Sequence, residues 1–205
     1  GYIPPWGILT GVRPARVASA LLDSGKTPAE CAAYLTSVYG ASDDKSSLAV
    51  SVAESERRFI LPDENGRCSI YIAIPFCPTK CRYCSFVSVA SPRLFSLIPE
   101  YLDALCLDIT AVADTVRELG LTVASIYVGG GTPAVLSADQ IAVLTEKIHQ
   151  LFDMTGVEFT FEAGRPDCIT IEKLQALKDG GVTRISINTQ TANNDVLAAV
   201  GRKHT

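Results

Sequence analysis

The sequence has few of the features that mark a nucleic-acid-binding or membrane-spanning protein. It carries 18 lysine and arginine residues against 22 aspartate and glutamate residues, which gives a net charge of -4. Because a nucleic-acid surface is usually strongly basic, this balance favours no nucleic-acid partner. No apolar stretch approaches the roughly 20 residues that cross a bilayer, so we expect no membrane span. The chain also has no Ser/His/Asp set, no Walker loop and no paired carboxylates at useful spacing.

Histidine is scarce, and cysteine is unevenly distributed along the chain. There are only two histidines, His149 and His204, and seven cysteines, three of which fall within eight positions. An odd number of cysteines with one tight group does not suit a disulfide framework. It indicates a reducing compartment and one metal site. We therefore expect a cytoplasmic protein.

The 205 residues suffice for one domain with a core, or for one domain and an appendage. We divide the chain near residue 68, into an N-terminal helical segment (1–67) and a second domain (68–205). In the first part, helices are predicted over 14–22, 28–39 and 43–59. The run Thr27-Pro28-Ala29-Glu30 is a capping box with proline at the first helical position, and Gly40 is a stop signal.

After residue 68, predicted strands alternate with predicted helices. The strands are 69–74, 125–128, 157–162 and 183–188, and the helices are 99–119, 137–151, 170–178 and 193–200. Four strand–helix units in a row favour a parallel sheet with right-handed crossovers. They are too few to close an eight-stranded barrel, which needs about 250 residues. We predict an α/β fold, a partial (β/α) barrel arc preceded by the small helical segment, with a flat doubly wound sheet as the alternative.

The loop after the first predicted strand carries Cys77, Cys81 and Cys84 with the spacing C-x3-C-x2-C. Three thiolates on one loop can hold three irons of a four-iron cluster and leave the fourth iron open to a ligand. A structural zinc site is the alternative, but it needs four ligands, usually as two C-x2-C pairs. A thioredoxin-type pair at Cys81 and Cys84 does not account for Cys77.

Further candidate residues follow the other strands. The run 129–133, Gly-Gly-Gly-Thr-Pro, follows the second strand and could let backbone approach a ligand closely, although alone it indicates a turn. Glu162 ends the third strand, Gln190 lies just past the fourth, and Arg202 follows the last helix. Taken singly, each is more often structural than functional. Their common place at the C-terminal ends of strands suits a binding site in either architecture.

With these residues in view, the chain resembles the radical S-adenosylmethionine superfamily. More narrowly it resembles the oxygen-independent coproporphyrinogen III dehydrogenase family, in a second branch with a Leu-Thr-Gly-Val-Arg-Pro stretch near the N-terminus. The resemblance covers nearly the whole chain. It rests on 5–14, 71–84, 127–133, 162–166, 184–188 with Gln190, and 201–205.

The resemblance implies a four-iron, four-sulfur (4Fe-4S) cluster and S-adenosyl-L-methionine as cofactors. The implied cluster ligands are Cys77, Cys81 and Cys84. The positions that match contacts to the first S-adenosylmethionine are Tyr71, Gly130 and Glu162, and those that match a second one are Tyr83, Gly131, Thr132, Gln190 and Arg202. No catalytic side chain is assigned, because the cofactor carries the chemistry and the protein positions it.

The implied reaction is the oxidative decarboxylation of coproporphyrinogen III to protoporphyrinogen IX in haem biosynthesis. The reduced cluster donates one electron, S-adenosylmethionine is cleaved, and the 5′-deoxyadenosyl radical takes a hydrogen from a propionate side chain. Loss of carbon dioxide and one electron then leaves a vinyl group. The implied partners are this tetrapyrrole and an electron donor of the flavodoxin or ferredoxin type.

Two departures from the family pattern leave other functions open. Phe86 stands where the best-studied members have a fourth cysteine, and Ala73 stands where they have a histidine. A sister branch of haem chaperones also has an aromatic residue at the first of these positions. The alternatives are therefore a haem chaperone that keeps the cluster, or a radical enzyme with another substrate. The superfamily barrel usually has six strand–helix units, so we expect this chain to be an internal fragment that is inactive alone.

Overall fold

The computed structural model describes residues 4–9, 13–58 and 66–205. The chain forms two compact units, residues 1–64 and 65–205, and each is described by itself. We keep residue 68 as the proposed start of the second domain. Within the described ranges, no helix combines the length and the apolar character needed to cross a membrane.

The first unit contains three helices, α1 (Pro14–Asp23), α2 (Pro28–Tyr39) and α3 (Asp43–Glu56). The capping box at Thr27 forms as predicted, since its hydroxyl accepts from the Glu30 amide and the Glu30 carboxylate accepts from the Thr27 amide. Gly40 ends α2 in the left-handed conformation. The third helix ends at Glu56, and the predicted end at residue 59 lies outside the described residues. The buried core comprises Leu9, Ala18, Cys31, Leu35, Ala41, Ala49, Val50 and Ala53.

The second unit alternates strands and helices as predicted. In chain order these are β1 (Arg67–Ile74), α4 (Ile98–Glu118), β2 (Thr122–Gly130), α5 (Ala138–Leu151), β3 (Glu158–Gly164), α6 (Ile171–Asp179), β4 (Arg184–Ile187) and α7 (Asn194–Val200). Short 3-10 helices over Pro92–Leu97, Pro133–Val135 and Pro166–Cys168 were not predicted. Each begins with proline, which is compatible with the first turn of a helix because that amide needs no partner.

The four strands form one sheet in the order β1-β2-β3-β4, and every neighbouring pair is parallel. A doubly wound sheet reverses its strand order at a switch point. Here the order never reverses, so right-handed crossovers carry all the connecting helices to one face of the sheet. The predicted α/β arc is therefore confirmed, and the doubly wound alternative is wrong.

One face of this sheet is apolar and buried, because side chains alternate along a strand. The buried strand residues are Ile72, Ile74, Ile126, Val128, Phe159 and Phe161, and they pack with Leu102, Ile109, Leu144 and Ile148 of α4 and α5. The residues between them face the other way. Tyr71, Tyr127 and Glu162 therefore share the opposite face, where Tyr71 is exposed and the other two are half-buried.

The capping box that opens α5 offers a direct test of this local structure. The Ser137 hydroxyl accepts from the Gln140 amide (3.2 Å), and the Gln140 side-chain oxygen accepts from the Ser137 amide (2.9 Å). We expect Ser137→Ala to lower the free energy of unfolding by about 1 kcal/mol, measured in urea. Thr115→Ala is the control, since that exposed hydroxyl only bonds a carbonyl one turn back in α4. An equal loss in both variants would contradict the capping explanation.

Candidate functional site

The cysteine loop leaves the end of β1 and is tied back to the chain that follows it. The Cys77 amide donates to the Val89 carbonyl (2.9 Å), and the Val89 amide donates to the Pro75 carbonyl (2.6 Å). Cys77 and Cys81 are each only 7% exposed, and Cys84 is half-buried. The loop therefore holds its three thiols in a sheltered position at the C-terminal edge of the sheet.

A cavity of about 150 Å³ at this edge is shared by the ends of all four strands. It brings together most of the residues predicted from the sequence, which follow different strands and lie up to 125 positions apart. Its lining includes Cys77, Cys81, Cys84, Tyr83, Gly130, Gly131, Thr132, Glu162, Gln190 and Arg202. Tyr71 is the predicted site residue that does not line it. The contact that each residue makes with a cofactor stays a prediction.

The glycine loop forms the wall against which the cysteine loop packs. The Gly131 amide donates to the Ile74 carbonyl (2.8 Å), and the Thr132 amide donates to the Phe76 carbonyl (2.8 Å). The Thr132 hydroxyl lies 3.4 Å from the Cys77 sulfur. A Cβ atom on Gly131 would stand 2.6 Å from the Phe76 oxygen and 3.0 Å from that same sulfur. Glycine is required here for close approach and not only for a turn.

We therefore expect Gly131→Ala to push the cysteine loop away from the glycine loop. After anaerobic reconstitution, the variant should retain less than half of the iron of the parent protein. Gly156→Ala is the matched control. It also replaces a glycine, and although its φ of +72° makes an alanine strained there, nothing lies within 4 Å of the added Cβ atom. If Gly131→Ala keeps the iron content of the parent, the close packing of the two loops is not needed for binding the cluster.

Glu162 is held by a tyrosine that the sequence did not single out. The Tyr127 hydroxyl donates to the Glu162 carboxylate at 2.6 Å. Burial, the hydrogen bond to Glu162 and the charge of that carboxylate raise the pKa of Tyr127 to about 12. The tyrosine therefore keeps its proton at neutral pH and is the donor in the hydrogen bond to Glu162. The carboxylate is fixed where it can accept from an ammonium or hydroxyl group of a ligand.

Tyr71 lies beside this pair and not in the cavity. Its ring stacks on Tyr127 with centroids 5.7 Å apart and planes 10° apart, and it is 61% exposed. Burial of its hydroxyl and the nearby charge of Glu162 raise the pKa of Tyr71. Its open ring can pack against a ligand that reaches out of the cavity.

Gln190 and Arg202 also line the cavity. Gln190 has a φ of +65°, a backbone conformation that a non-glycine residue adopts at a cost and that often marks a functional position. Arg202 is buried, and its Nε and Nη1 atoms have no hydrogen-bond partner. Burial opposes its charge, but hydrogen bonding to Tyr83 and the nearby Cys81 thiol outweigh it and raise the pKa of Arg202. A charged guanidinium with free donors suits an anionic ligand.

Arg165 is the main site residue that sequence reasoning missed. It follows β3 directly and is only 2% exposed. Its Nη2 donates to the Cys81 sulfur (3.1 Å) and to the Thr79 carbonyl (2.6 Å), while Nη1 donates to the Thr79 hydroxyl (2.6 Å). Its place after a strand end, three residues beyond Glu162, was the available signal.

The two departures from the family pattern also lie near the site. Phe86 lines the cavity and is 65% exposed, and its carbonyl accepts from the Lys80 amine at 3.0 Å. Ala73 lies in β1, where its carbonyl accepts from the Tyr101 hydroxyl at 2.6 Å. The Phe86 side chain occupies the rim and provides an apolar surface there.

The donor set suits a four-iron cluster better than a single metal ion. Among the described residues, no three His, Cys, Asp or Glu side chains converge as ligands of one ion. A tetrahedral zinc site needs such convergence of four ligands, and the cavity lining contains three cysteines and no histidine. In a 4Fe-4S cluster each thiolate binds a separate iron, and three cysteines on one cavity lining supply the three protein ligands that such a cluster needs when its fourth iron is open.

A larger cavity, of about 730 Å³, lies on the helix side, between α5 and α6. Its lining is Ala138, Asp139, Ala142, Thr145, Glu146, His149, Glu172, Gln175, Ala176, Asp179 and Gly180. It contains none of the predicted site residues. Because ligands of parallel α/β sheets bind at the C-terminal ends of the strands, the smaller cavity is the candidate site.

Comparison with known proteins gives a consistent result. Residues 71–205 match the model of the radical SAM superfamily. The chain is 38% identical, over its full length, to the oxygen-independent coproporphyrinogen-III oxidase-like protein HemZ of Bacillus subtilis, of which it covers 42%. It is 37% identical to the heme chaperone HemW of Haemophilus influenzae, over 66% of this chain and 36% of that protein.

The fold comparison agrees with the sequence comparison. The structure of coproporphyrinogen III oxidase (HemN) from Escherichia coli matches with a TM-score of 0.60 and 28% identity, over 73% of this chain and 33% of that one. The chain thus spans less than half the length of these relatives. With the motif residues gathered at one strand edge and the superfamily match covering residues 71–205, this chain belongs to the radical SAM superfamily.

Proposed function

We propose that the chain contains the cofactor-binding part of a radical SAM enzyme that oxidatively decarboxylates coproporphyrinogen III to protoporphyrinogen IX. The observation that carries this proposal is the single cavity that joins the three cysteines, the glycine loop and Glu162. The substrate rests on the 38% identity with a coproporphyrinogen-III oxidase-like relative over the whole of this chain. Two of the four propionates would each become a vinyl group, losing a hydrogen atom to the 5′-deoxyadenosyl fragment, carbon dioxide, and one electron to an external one-electron acceptor.

In this proposal Cys77, Cys81 and Cys84 hold a 4Fe-4S cluster, and S-adenosylmethionine binds beside it. When bound, these groups supply the electron and the hydrogen-abstracting fragment. Because Cys77 and Cys81 are buried, little water reaches their sulfur atoms. Glu162, oriented by Tyr127, would accept from the cofactor's polar groups, and the close backbone at Gly130 would let the cofactor lie against the chain.

The remaining wall residues would bind a second anionic or zwitterionic group. Arg202 has two buried donors without partners, and Gln190 and Thr132 line the same space. Tyr83 stands on the exposed rim. A second S-adenosylmethionine carries a carboxylate of the right charge for Arg202.

We further propose a reducing compartment such as the cytoplasm and an electron donor of the flavodoxin or ferredoxin type. All seven cysteines are free thiols, which supports the first point. The second follows from the chemistry, because the cluster must receive one electron from outside before each turnover.

The test uses the whole protein with its cluster rebuilt without oxygen. S-adenosylmethionine, a strong reductant and coproporphyrinogen III are added, and 5′-deoxyadenosine and protoporphyrinogen are measured together. Both products are expected. Formation of 5′-deoxyadenosine without porphyrin product would leave the cofactor assignment intact and overturn the substrate. Neither product from a fully loaded cluster would overturn the enzyme assignment.

A haem chaperone is the second candidate, favoured by the 37% identity with HemW and by Phe86 at the cavity rim. Such a protein would keep the cluster and bind haem without oxidising coproporphyrinogen III. Titration of the whole protein with haem separates the two candidates. Stoichiometric binding without turnover would favour the chaperone, and turnover without stable haem binding would favour the enzyme.

A further inference from the structure

Arg165 is a buried cation that lacks a carboxylate partner. Its guanidinium forms three hydrogen bonds, all to the cysteine loop, and two of them go to the neutral Thr79. In the part of the chain that the structure describes, no carboxylate lies within ion-pair distance of it. Burying a charge is costly unless a counter-charge compensates it. Among the groups that these bonds reach, only the Cys81 sulfur, 3.1 Å from Nη2, becomes negatively charged when it binds a metal.

We propose that Arg165 is a positioning residue for the cluster. Its guanidinium supplies a buried positive charge and an N–H donor to the Cys81 sulfur, and these add to the nearby charge of Arg202. This inference rests on the cluster assignment made under the proposed function. A hydrogen bond and a fixed cation at a ligand sulfur stabilise the reduced, more negative state of an iron–sulfur cluster. Arg165 therefore raises the reduction potential of the cluster and makes it easier to load with an electron.

The same guanidinium also links the cysteine loop to the chain after α7. The Thr79 hydroxyl accepts from Arg165 Nη1 and donates to the Gly201 carbonyl at 3.2 Å. Gly201 directly precedes Arg202, which lines the cavity and whose buried Nε and Nη1 atoms have no hydrogen-bond partner. Through Thr79, Arg165 connects the end of β3, the cluster loop and the segment proposed to bind the second ligand.

These two roles can be separated by substitution. Arg165→Met removes both the charge and the fork of donors, and Arg165→Lys keeps the charge but not the fork. Thr79→Val removes the link to Gly201 while leaving Nη2 able to reach the Cys81 sulfur. Arg184→Met is the matched control. It removes one positive charge from the same sheet, where Arg184 is exposed and pairs with Glu158 at 3.1 Å.

The measurement is the midpoint potential of the reconstituted whole protein, from a redox titration followed by electron paramagnetic resonance, with iron content determined alongside. We expect a more negative potential in Arg165→Met and an intermediate value in Arg165→Lys. Thr79→Val should lose some iron but keep the parent potential in the clusters that remain. Arg184→Met should match the parent in both.

Every result of this experiment either supports or overturns the proposed role of Arg165. A parent-like potential in Arg165→Met would overturn it, as would an equal shift in Thr79→Val. If both Arg165 variants lose the cluster while Thr79→Val retains it, the sulfur contact is needed for assembly and the inference stands. If Thr79→Val loses it equally, the loop tie alone explains the effect and the inference falls. A parent protein that binds no cluster would instead contradict the proposed function.

Discussion

Replacing Cys84 with alanine is expected to remove the cluster and with it all formation of 5′-deoxyadenosine. Three thiolates are the whole protein ligand set in the proposed site, so loss of one leaves a second iron without a protein ligand. Cys84 is the best of the three to replace. It is half-buried, whereas Cys77 and Cys81 are buried and contact Thr132 and Arg165, respectively. The fold should therefore survive its loss.

The measurement is iron and sulfide content after anaerobic reconstitution of the whole protein, together with 5′-deoxyadenosine release. Cys106→Ala is the control. Cys106 is a half-buried thiol on α4, away from the cavity, and burial raises the pKa of its thiol. We expect the control to retain parent levels of both. A Cys84→Ala protein with a full, catalytically competent cluster would contradict the ligand assignment.

It could be predicted from the sequence that the site residues lie close together, and the reason is geometric. Cys77, Gly131 and Gln190 each follow a different predicted strand, and Glu162 ends the remaining one. Parallel strands place their C-terminal ends at one edge, so the residues after them meet there once the order and direction of the strands are right. Local signals such as the capping box at Ser137 predicted where helices begin. The predicted ends of the strands and helices differ from the observed ends by a few residues.

The contacts of Arg165 and Tyr127 could not be predicted in the same way. The first pairs with a sulfur 84 positions earlier, and the second pairs with a carboxylate 35 positions later. Such bonds depend on strand register and side-chain direction, which periodicity does not specify. Tyr71 shows the same limit, because its position opposite Tyr127 in the ladder turns it toward that ring and away from the cavity lining.

Replacing Glu162 with glutamine is the second change with a large expected effect. The Tyr127 hydroxyl fixes this carboxylate at the cavity, 2.6 Å from the phenol oxygen. A hydrogen bond to a charged group contributes about 1.5–3 kcal/mol, so the affinity for S-adenosylmethionine is expected to fall roughly ten- to a hundredfold. Binding is measured by anaerobic calorimetry on the reconstituted protein, since this readout does not depend on turnover.

Two further variants separate the role of Glu162 from that of its donor and from that of another carboxylate on the same strand. Tyr127→Phe keeps the charge of Glu162 but removes the donor that orients it, so its loss of affinity should be smaller than that of Glu162→Gln. Glu158→Gln neutralises a carboxylate on the same face of β3 that pairs with Arg184 and does not line the cavity. It should bind S-adenosylmethionine as the parent does. If Glu162→Gln and Glu158→Gln lose the same affinity for S-adenosylmethionine, the effect comes from the total charge of β3 and not from the place of Glu162. That result would contradict the assignment of Glu162 as a cofactor contact.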